Sequence, residues 1–274
     1  MNAIEYANKA EKLFSVPETA LKIKELSDCD RADLQSITSV VESDPGLAAH
    51  ILKLANSAVY RFSRKIDRLD KAIQVIGLSS VYEFALAFAI SDALTEEHKK
   101  FINVHNFWFQ SLSCAIIAKL IATQVSKKNA SRLFLAGLFH NIGELAVLKI
   151  TPTLARECSN VIEDKLPKLI QIDNLGFTYA EISAALLQKW MLPDSVVSAV
   201  AMQHFDDLRS VPKDILMIQL SYLGSLCLTY PKFFRLGAVI PSEAVNALDL
   251  SEDCVDDIFS EAKEMTAATV SLFA

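Results

Sequence analysis

Residues 131–148 read SRLFLAGLFHNIGELAVL, an apolar stretch whose charged side chains are Arg132 and Glu144. Its apolar residues recur at helical spacing, and no part of the chain alternates convincingly with the period of a strand. A second long apolar segment, FWFQSLSCAIIAKLIATQV at 107–125, precedes it across the polar connection SKKNA. The two segments predict a pair of long helices, over 107–125 and 131–148, within an all-α fold.

The composition excludes several classes of protein. The chain has 274 residues and 7 glycines, and this scarcity of glycine disfavours β-rich and dinucleotide-binding folds. A formal net charge of −6 disfavours direct binding to DNA or RNA. The 5 cysteines include no Cys-x-x-Cys pair, so we expect them to be reduced core residues in a cytoplasmic protein.

The sequence offers no sign of export or membrane insertion. The N-terminus MNAIEYANKAEKLF lacks the basic and apolar regions of a signal peptide. The apolar run VYEFALAFAI at 81–90 contains Glu83 and is too short to cross a bilayer. We therefore expect no membrane span.

Local signals indicate where helices begin and end. Ser15 and Glu18 have the spacing of a capping box. Asp44 precedes a proline and is expected to cap the following helix, whereas Gly77 is expected to end one.

The domain organisation is inferred from one polar break. The stretch 79–94 is apolar on nearly all sides and predicts a central buried helix. The polar segment TEEHKKFINVHN follows it at 95–106. We therefore expect an N-terminal helical bundle over 1–95 and a second helical domain over 96–274.

Two of the five histidines are candidates for a functional site. His140 is flanked by apolar residues, so its imidazole is expected to be buried and to need a hydrogen-bond partner. Asn141, Glu144 and Glu181 are the candidate partners. His204 is the second candidate. The alternative is that both histidines are structural core residues that never meet.

The residue after His140 argues against a catalytic metal centre. A binuclear phosphohydrolase needs several imidazole nitrogens and at least one carboxylate to bind two cations. Asn141 offers only a neutral amide oxygen, which is a weaker ligand for a divalent ion. An aspartate buried there without a cation would be unfavourable, so an amide suits a metal-free site.

Several phrases together resemble one known family. The chain resembles an HDOD domain, a degenerate relative of the HD and HD-GYP metal-dependent phosphohydrolases. The resemblance spans about residues 13 to 205 and rests on SVPETALKIKEL, ESDPGLAAHILKLANSAVY, KAIQVIGLSSV, FWFQSLSCA, AGLFHNIGEL, GFTYAEISAALLQKWMLP and VVSAVAMQHF. It implies an all-α fold in which the N-terminal bundle packs on a degenerate HD-type core, followed by a helical extension after about residue 210.

The same resemblance locates the former metal ligands. A histidine two residues after the tryptophan of the long helix is replaced by Gln110, and the adjacent His–Asp pair by His140 and Asn141. A later histidine is replaced by Tyr179, and a histidine pair by Gln203 and His204. With Glu181, these residues form the expected vestigial pocket, in which the neutral replacements exchange hydrogen bonds.

The resemblance implies a non-catalytic signalling or regulatory protein that binds a protein partner or a nucleotide-like small ligand, without a cofactor. The alternative is a metal-dependent phosphohydrolase that works with a reduced ligand set. Its divalent metal would lie near His140 and His204, with a carboxylate such as Glu181. A third hypothesis is a nucleotide sensor that uses the pocket without cleavage. The sequence leaves the oligomeric state open.

Overall fold

The computed structural model describes residues 1–14, 16–28, 33–62, 64–126, 129–163, 165–206 and 211–273, with only the backbone of Ser79. Within these ranges the regular structure is helical and no strand occurs, which confirms the all-α prediction. A short 3₁₀ turn, Val270–Leu272, follows the last helix. The helices are α1 Ala3–Leu13, α2 Glu18–Asp28, α3 Leu34–Glu42, α4 Pro45–Ala55, α5 Leu69–Ile76, α6 Leu78–Asp92, α7 Glu96–Lys99, α8 Val104–Val125, α9 Ala130–Phe139, α10 Gly143–Ile150, α11 Pro152–Cys158, α12 Pro167–Leu175, α13 Tyr179–Lys189, α14 Asp194–Ala201, α15 Lys213–Thr229, α16 Leu236–Val239, α17 Ser242–Ala247 and α18 Glu252–Thr269.

The chain forms two compact units. One unit contains Met1–Leu13 and Glu96–Thr266, and the other contains Phe14–Thr95 and Ala267–Ala274. The first helix therefore groups with the residues after 96, and the last eight residues group with the N-terminal helices. The proposed domain boundary between residues 95 and 96 stays a prediction.

The larger unit is built around α8. This helix packs along α9 and α15, while α14 packs on α9 and α13. Helix α1 contacts both α10 and α13. Helix α8 is buried along most of its length, as its apolar composition requires.

In the smaller unit, α2 packs on α3 and α6, and α4 packs on α5 and α6. The predicted helix ends are found there. Asp44 accepts a hydrogen bond of 3.0 Å from the backbone N–H of Leu47, as an N-cap does. Gly77 ends α5 with a φ of 97°, a backbone conformation that favours glycine. Ser15 lies outside the described residues.

The predicted helix over 131–148 is wrong as a single element. The chain breaks at His140–Ile142, where backbone N–H groups bond three residues back: Ile142 to Phe139 at 3.2 Å and Glu144 to Asn141 at 3.0 Å. The break is compatible with close packing of Gly143 on α13, since an added Cβ would lie 2.3 Å from the carbonyl oxygen of Tyr179. Hydrophobic spacing does not reveal this turn because apolar residues continue through it.

Two helical stretches, Val104–Val125 and Ala130–Ile150, have the length and apolar composition of membrane-crossing helices. In the structure, 67% and 83% of their most apolar windows are buried inside the protein. Packing in a helical core accounts for such a composition. The expected absence of a membrane span stays a prediction.

Candidate functional site

His140 caps the C-terminal end of α9 and is completely buried. Its Nδ1 lies 2.7 Å from the carbonyl oxygen of Gly137, so Nδ1 carries the hydrogen and donates it. Burial lowers the pKa of His140 to about 4 and keeps the ring neutral. Its Nε2 is buried without a hydrogen-bond partner among the described residues. None of the three predicted partners, Asn141, Glu144 or Glu181, bonds to this ring.

Gln203 and His204 lie beside His140, just after α14. Gln203 is 3% exposed and donates from Nε2 to the carbonyl oxygen of His140 at 3.0 Å. The ring of Tyr222, on α15, meets the ring of His204 at 4.7 Å between centroids and that of His140 at 5.8 Å, both edge-on. The two histidines therefore share one aromatic neighbour.

The electrostatics of this group favour neutral side chains. Burial, followed by the nearby ammonium of Lys168, lowers the pKa of His204 to about 3. Lys168 also forms an ion pair of 3.0 Å with Asp206. At neutral pH both imidazoles are thus uncharged, and the carboxylate of Asp206, which acts on His204, is paired with Lys168.

Asn141 belongs to a second polar group. It is 8% exposed, and its Nδ2 donates to Glu144 Oε2 at 2.7 Å. Ser159 donates to the other carboxylate oxygen at 2.9 Å. Burial raises the pKa of Glu144 to about 7, against the effect of these two hydrogen bonds. The amide at position 141 is therefore used as a hydrogen-bond donor, which an aspartate could not provide when ionised.

Tyr179 extends this second group. It is 2% exposed and begins α13, where its backbone N–H donates to Gln171 Oε1 at 2.8 Å. Burial, followed by the carboxylate of Glu144 and the thiol of Cys158, raises the pKa of the Tyr179 phenol. Tyr179 is therefore a packed neutral residue beside Glu144.

Glu181 lies in a capping box and not in the pocket. Its carboxylate accepts hydrogen bonds from the backbone N–H of Thr178 at 2.7 Å and from the Thr178 hydroxyl at 3.0 Å. The Thr178 hydroxyl in turn accepts from the Glu181 N–H at 3.4 Å. The structure therefore places Glu181 in the cap of α13, where no hydrogen bond joins it to the other predicted pocket residues among those that the structure describes.

Gln110 is buried on α8, but no hydrogen bond joins it to the other predicted pocket residues where the structure describes them.

The sequence did not predict Tyr222 as a residue of the site, and it predicted Glu144 with a different partner. Tyr222 lies in the segment after residue 210, and a tyrosine on an apolar helix carries no distinguishing signal. Glu144 was considered only as a partner of His140, although its spacing from Asn141 permits the contact that forms.

The residues present do not fit a catalytic metal centre. Among the described residues, no group of three or more His, Cys, Asp and Glu side chains could hold a metal ion. His140 keeps the tautomer typical of a metal ligand, with Nδ1 bound to a backbone carbonyl and Nε2 free to coordinate. Its neighbours Asn141, Gln203 and Tyr222 supply neutral groups.

The fold is all-α, and the site is a buried group of polar side chains around His140. The HDOD domain profile matches residues 13–205, and the chain therefore belongs to the HDOD family.

Solved structures share the fold. An HDOD domain protein of unknown function from Geobacter sulfurreducens is 23% identical, with a TM-score of 0.70 and 98% of each chain covered. A protein from Shewanella amazonensis SB2B, provisionally named a phosphohydrolase, is 20% identical, with a TM-score of 0.72 and 97% of each chain covered. A protein from Marinobacter aquaeolei VT8, provisionally named a signal transduction protein, is 25% identical, with a TM-score of 0.71; the match covers 94% of this chain and 59% of that protein.

Two curated proteins are also similar. An uncharacterized protein of Treponema pallidum (strain Nichols) is 22% identical over 207 residues, which is 74% of this chain and 39% of that protein. The uncharacterized protein YuxH of Bacillus subtilis (strain 168) is 25% identical over 142 residues, which is 52% of this chain and 32% of YuxH. This chain thus matches between about a third and two fifths of these relatives' length.

Proposed function

We propose that this protein is a non-catalytic signalling or regulatory module that acts by binding a protein partner or a small ligand. The pocket that holds metal in hydrolytic relatives serves here as a polar part of the helical core. We also propose that the protein acts in the bacterial cytoplasm. The provisional name of the Marinobacter protein supports a signalling role.

The hydrogen bonds of the replaced ligand positions carry this proposal. Asn141 donates to Glu144, and Gln203 donates to the backbone of His140. Tyr179 is buried against Cys158 and Glu144. The amide nitrogens of Asn141 and Gln203 are thus held by the protein, while Gln203 Oε1 and the Tyr179 hydroxyl are buried without a hydrogen-bond partner among the described residues. These oxygens are neutral, and they offset the charge of a divalent cation less than carboxylates do.

The rival function is a phosphohydrolase with a reduced ligand set. One observation favours it, namely the free Nε2 of His140 in the tautomer that metal ligands adopt. The provisional name of the Shewanella protein agrees with this rival. A phosphohydrolase would show metal-dependent turnover that requires His140, whereas the non-catalytic module would show no turnover.

A hydrolysis screen tests the proposal. The purified chain is supplied with Mn²⁺, Fe²⁺ or Zn²⁺ and with nitrophenyl phosphate mono- and diesters and cyclic dinucleotides. His140→Ala is compared with His105→Ala, an exposed control on α8. We expect no metal-dependent turnover in any of the three proteins. Turnover that His140→Ala abolishes and His105→Ala retains would establish the rival function.

A thermal unfolding assay separates the two binding roles. A nucleotide that binds the folded state raises the Tm in proportion to the logarithm of its concentration above Kd. A rise in Tm without turnover would show that the protein binds a small ligand that it does not cleave, as the sensor hypothesis requires. The absence of any rise across the nucleotide series would favour a protein partner.

A further inference from the structure

The helices after residue 235 form a groove that the HDOD match does not include. The groove has a volume of about 510 Å³ and lies among α16, α17 and the first turns of α18. Its apolar lining consists of the half-buried Leu236, Ile240, Leu250 and Val255 and the buried Val245. This volume falls in the range of pockets that bind ligands or anchoring side chains.

The groove is continuous with the core of its own unit. Leu236 lines the groove and also packs against the buried cluster that contains Tyr222, Leu226 and Phe234. Helix α16 has no buried residue, so its apolar side chains are shared between the core and the groove. The groove is therefore built on the hydrophobic core of its unit, and its apolar side chains are partly exposed to solvent.

One edge of the groove is acidic. Glu252 and Asp256 both line it and lie one turn apart on α18, where they are exposed. No lysine or arginine lines the groove, and neither carboxylate has an ion-pair partner among the residues that the structure describes. Like charges at this spacing repel each other on a helix, so a cationic partner would relieve an unfavourable interaction.

Glu252 lies in the first turn of α18, where a negative charge interacts well with the helix dipole, but the needs of the helix terminus do not explain Asp256. The N-terminus of α18 is already capped by Ser251, whose hydroxyl accepts a hydrogen bond of 3.2 Å from the N–H of Cys254. Asp256 is the fifth residue of the helix, beyond the first turn in which a negative charge interacts best with the helix dipole.

We propose that this groove docks a basic amphipathic segment of a partner protein. The apolar face of the segment would enter the groove, and its lysine or arginine side chains would contact Glu252 and Asp256. An amphipathic helix in an apolar groove is a recurring mode of peptide recognition, and the acidic edge selects the charge of its polar face. The proposal goes beyond the proposed function and holds whether or not the pocket around His140 binds metal.

The test uses the whole chain and a synthetic amphipathic peptide of leucine and lysine as the probe. A peptide of the same composition, scrambled to remove its apolar face, is the control. Fluorescence anisotropy gives the Kd, and backbone amide shifts locate the contact. We expect binding of the amphipathic peptide alone, with shifts concentrated at 236–256, and weaker binding as salt rises.

Matched variants distinguish peptide binding in the groove from attraction to the negative charge of the whole protein. We expect Glu252→Gln with Asp256→Asn to raise the Kd about five-fold. The control pair, Asp253→Asn with Asp257→Asn, removes the same charge from α18 at residues that do not line the groove. This pair should raise the Kd less than about two-fold. Ile240→Ser should raise it about ten-fold. The Tm of each variant verifies that it is folded.

Four results would overturn the proposal. They are equal binding of the scrambled peptide, equal loss from both acidic pairs, amide shifts outside the groove, and no binding at all. Self-association in sedimentation experiments that Ile240→Ser abolishes would assign the groove to a second copy of the chain and would also overturn it.

Discussion

The amide of Asn141 donates a hydrogen bond of 2.7 Å to the carboxylate of Glu144, three residues along the chain. This contact shows what the neutral residue after His140 does in the folded protein. It helps to hold a buried carboxylate whose other oxygen accepts from Ser159. The amide at position 141 is thus part of a local hydrogen-bond network.

Glu144 should make stability depend on pH. Burial raises its pKa from 4.5 to about 7, so between these values the folded chain holds a proton that the unfolded chain has released. The free energy of unfolding therefore falls as pH rises through this window. In Glu144→Gln this contribution is absent, and we expect the variant to gain about 1–3 kcal/mol relative to the native chain between about pH 4 and about pH 8.

Urea unfolding across this pH range measures the difference. Glu83, whose pKa burial also raises to about 7, acts in the same direction, whereas His140 and His204 act in the opposite one. These groups are present in both proteins and cancel in the comparison. Glu157→Gln, at an exposed position, is the control and should follow the native profile. Parallel profiles for Glu144→Gln and the native chain would contradict the prediction.

Gln203 should contribute to stability through its bond to His140. Gln203→Met keeps the size of the side chain but removes the donor from a buried carbonyl oxygen. We expect the free energy of unfolding to fall by about 1–3 kcal/mol. Gln188→Met, at an exposed site on α13, should change it by less than about 0.5 kcal/mol. Equal stabilities of the two variants in denaturant titrations would refute this role.

Thr178 and Glu181 should act as a helix cap. Thr178→Ala removes the hydroxyl that accepts from the Glu181 N–H, and we expect a loss of about 1 kcal/mol in the free energy of unfolding. Metal binding should not change in this variant or in Glu181→Gln, because neither residue belongs to the pocket. A metal affinity that depends on Glu181 would restore it as a ligand.

Gly143 should not tolerate a side chain. An added Cβ would lie 2.3 Å from the Tyr179 carbonyl oxygen and 2.9 Å from Cβ of Ile182. We expect Gly143→Ala to lose at least about 1–3 kcal/mol, even though alanine favours helices. Gly237→Ala is the matched control, since nothing lies within 4 Å of its added Cβ. Thermal unfolding that ranks Gly237→Ala below Gly143→Ala would contradict the packing described.

Much of the fold followed from local sequence signals, but not all of the site did. Asp44 and Gly77 were assigned correctly because capping and positive φ have strong residue preferences. Glu181 was assigned to the pocket, although Thr178 three residues earlier completes the capping-box pattern in which the structure places its carboxylate. Tyr222 could not be inferred because its role depends on where α15 packs, which is set by contacts distant in the chain.

The break between α9 and α10 escaped prediction for a related reason. Apolar residues continue through it, and the turn is coupled to packing of Gly143 on α13. Helical periodicity reports which side of an element is buried, but not a short interruption that leaves both parts buried.

The metal content of the purified chain tests most directly whether the former ligand positions still bind cations. The protein is expressed with Fe, Mn and Zn in the medium, purified without chelators, and analysed by mass spectrometry of the elements alongside His140→Ala. We predict far less than one equivalent of any of these metals per chain, with no difference between the two proteins. One or more equivalents in the native chain, lost in His140→Ala, would contradict the proposal that this pocket is a metal-free part of the core.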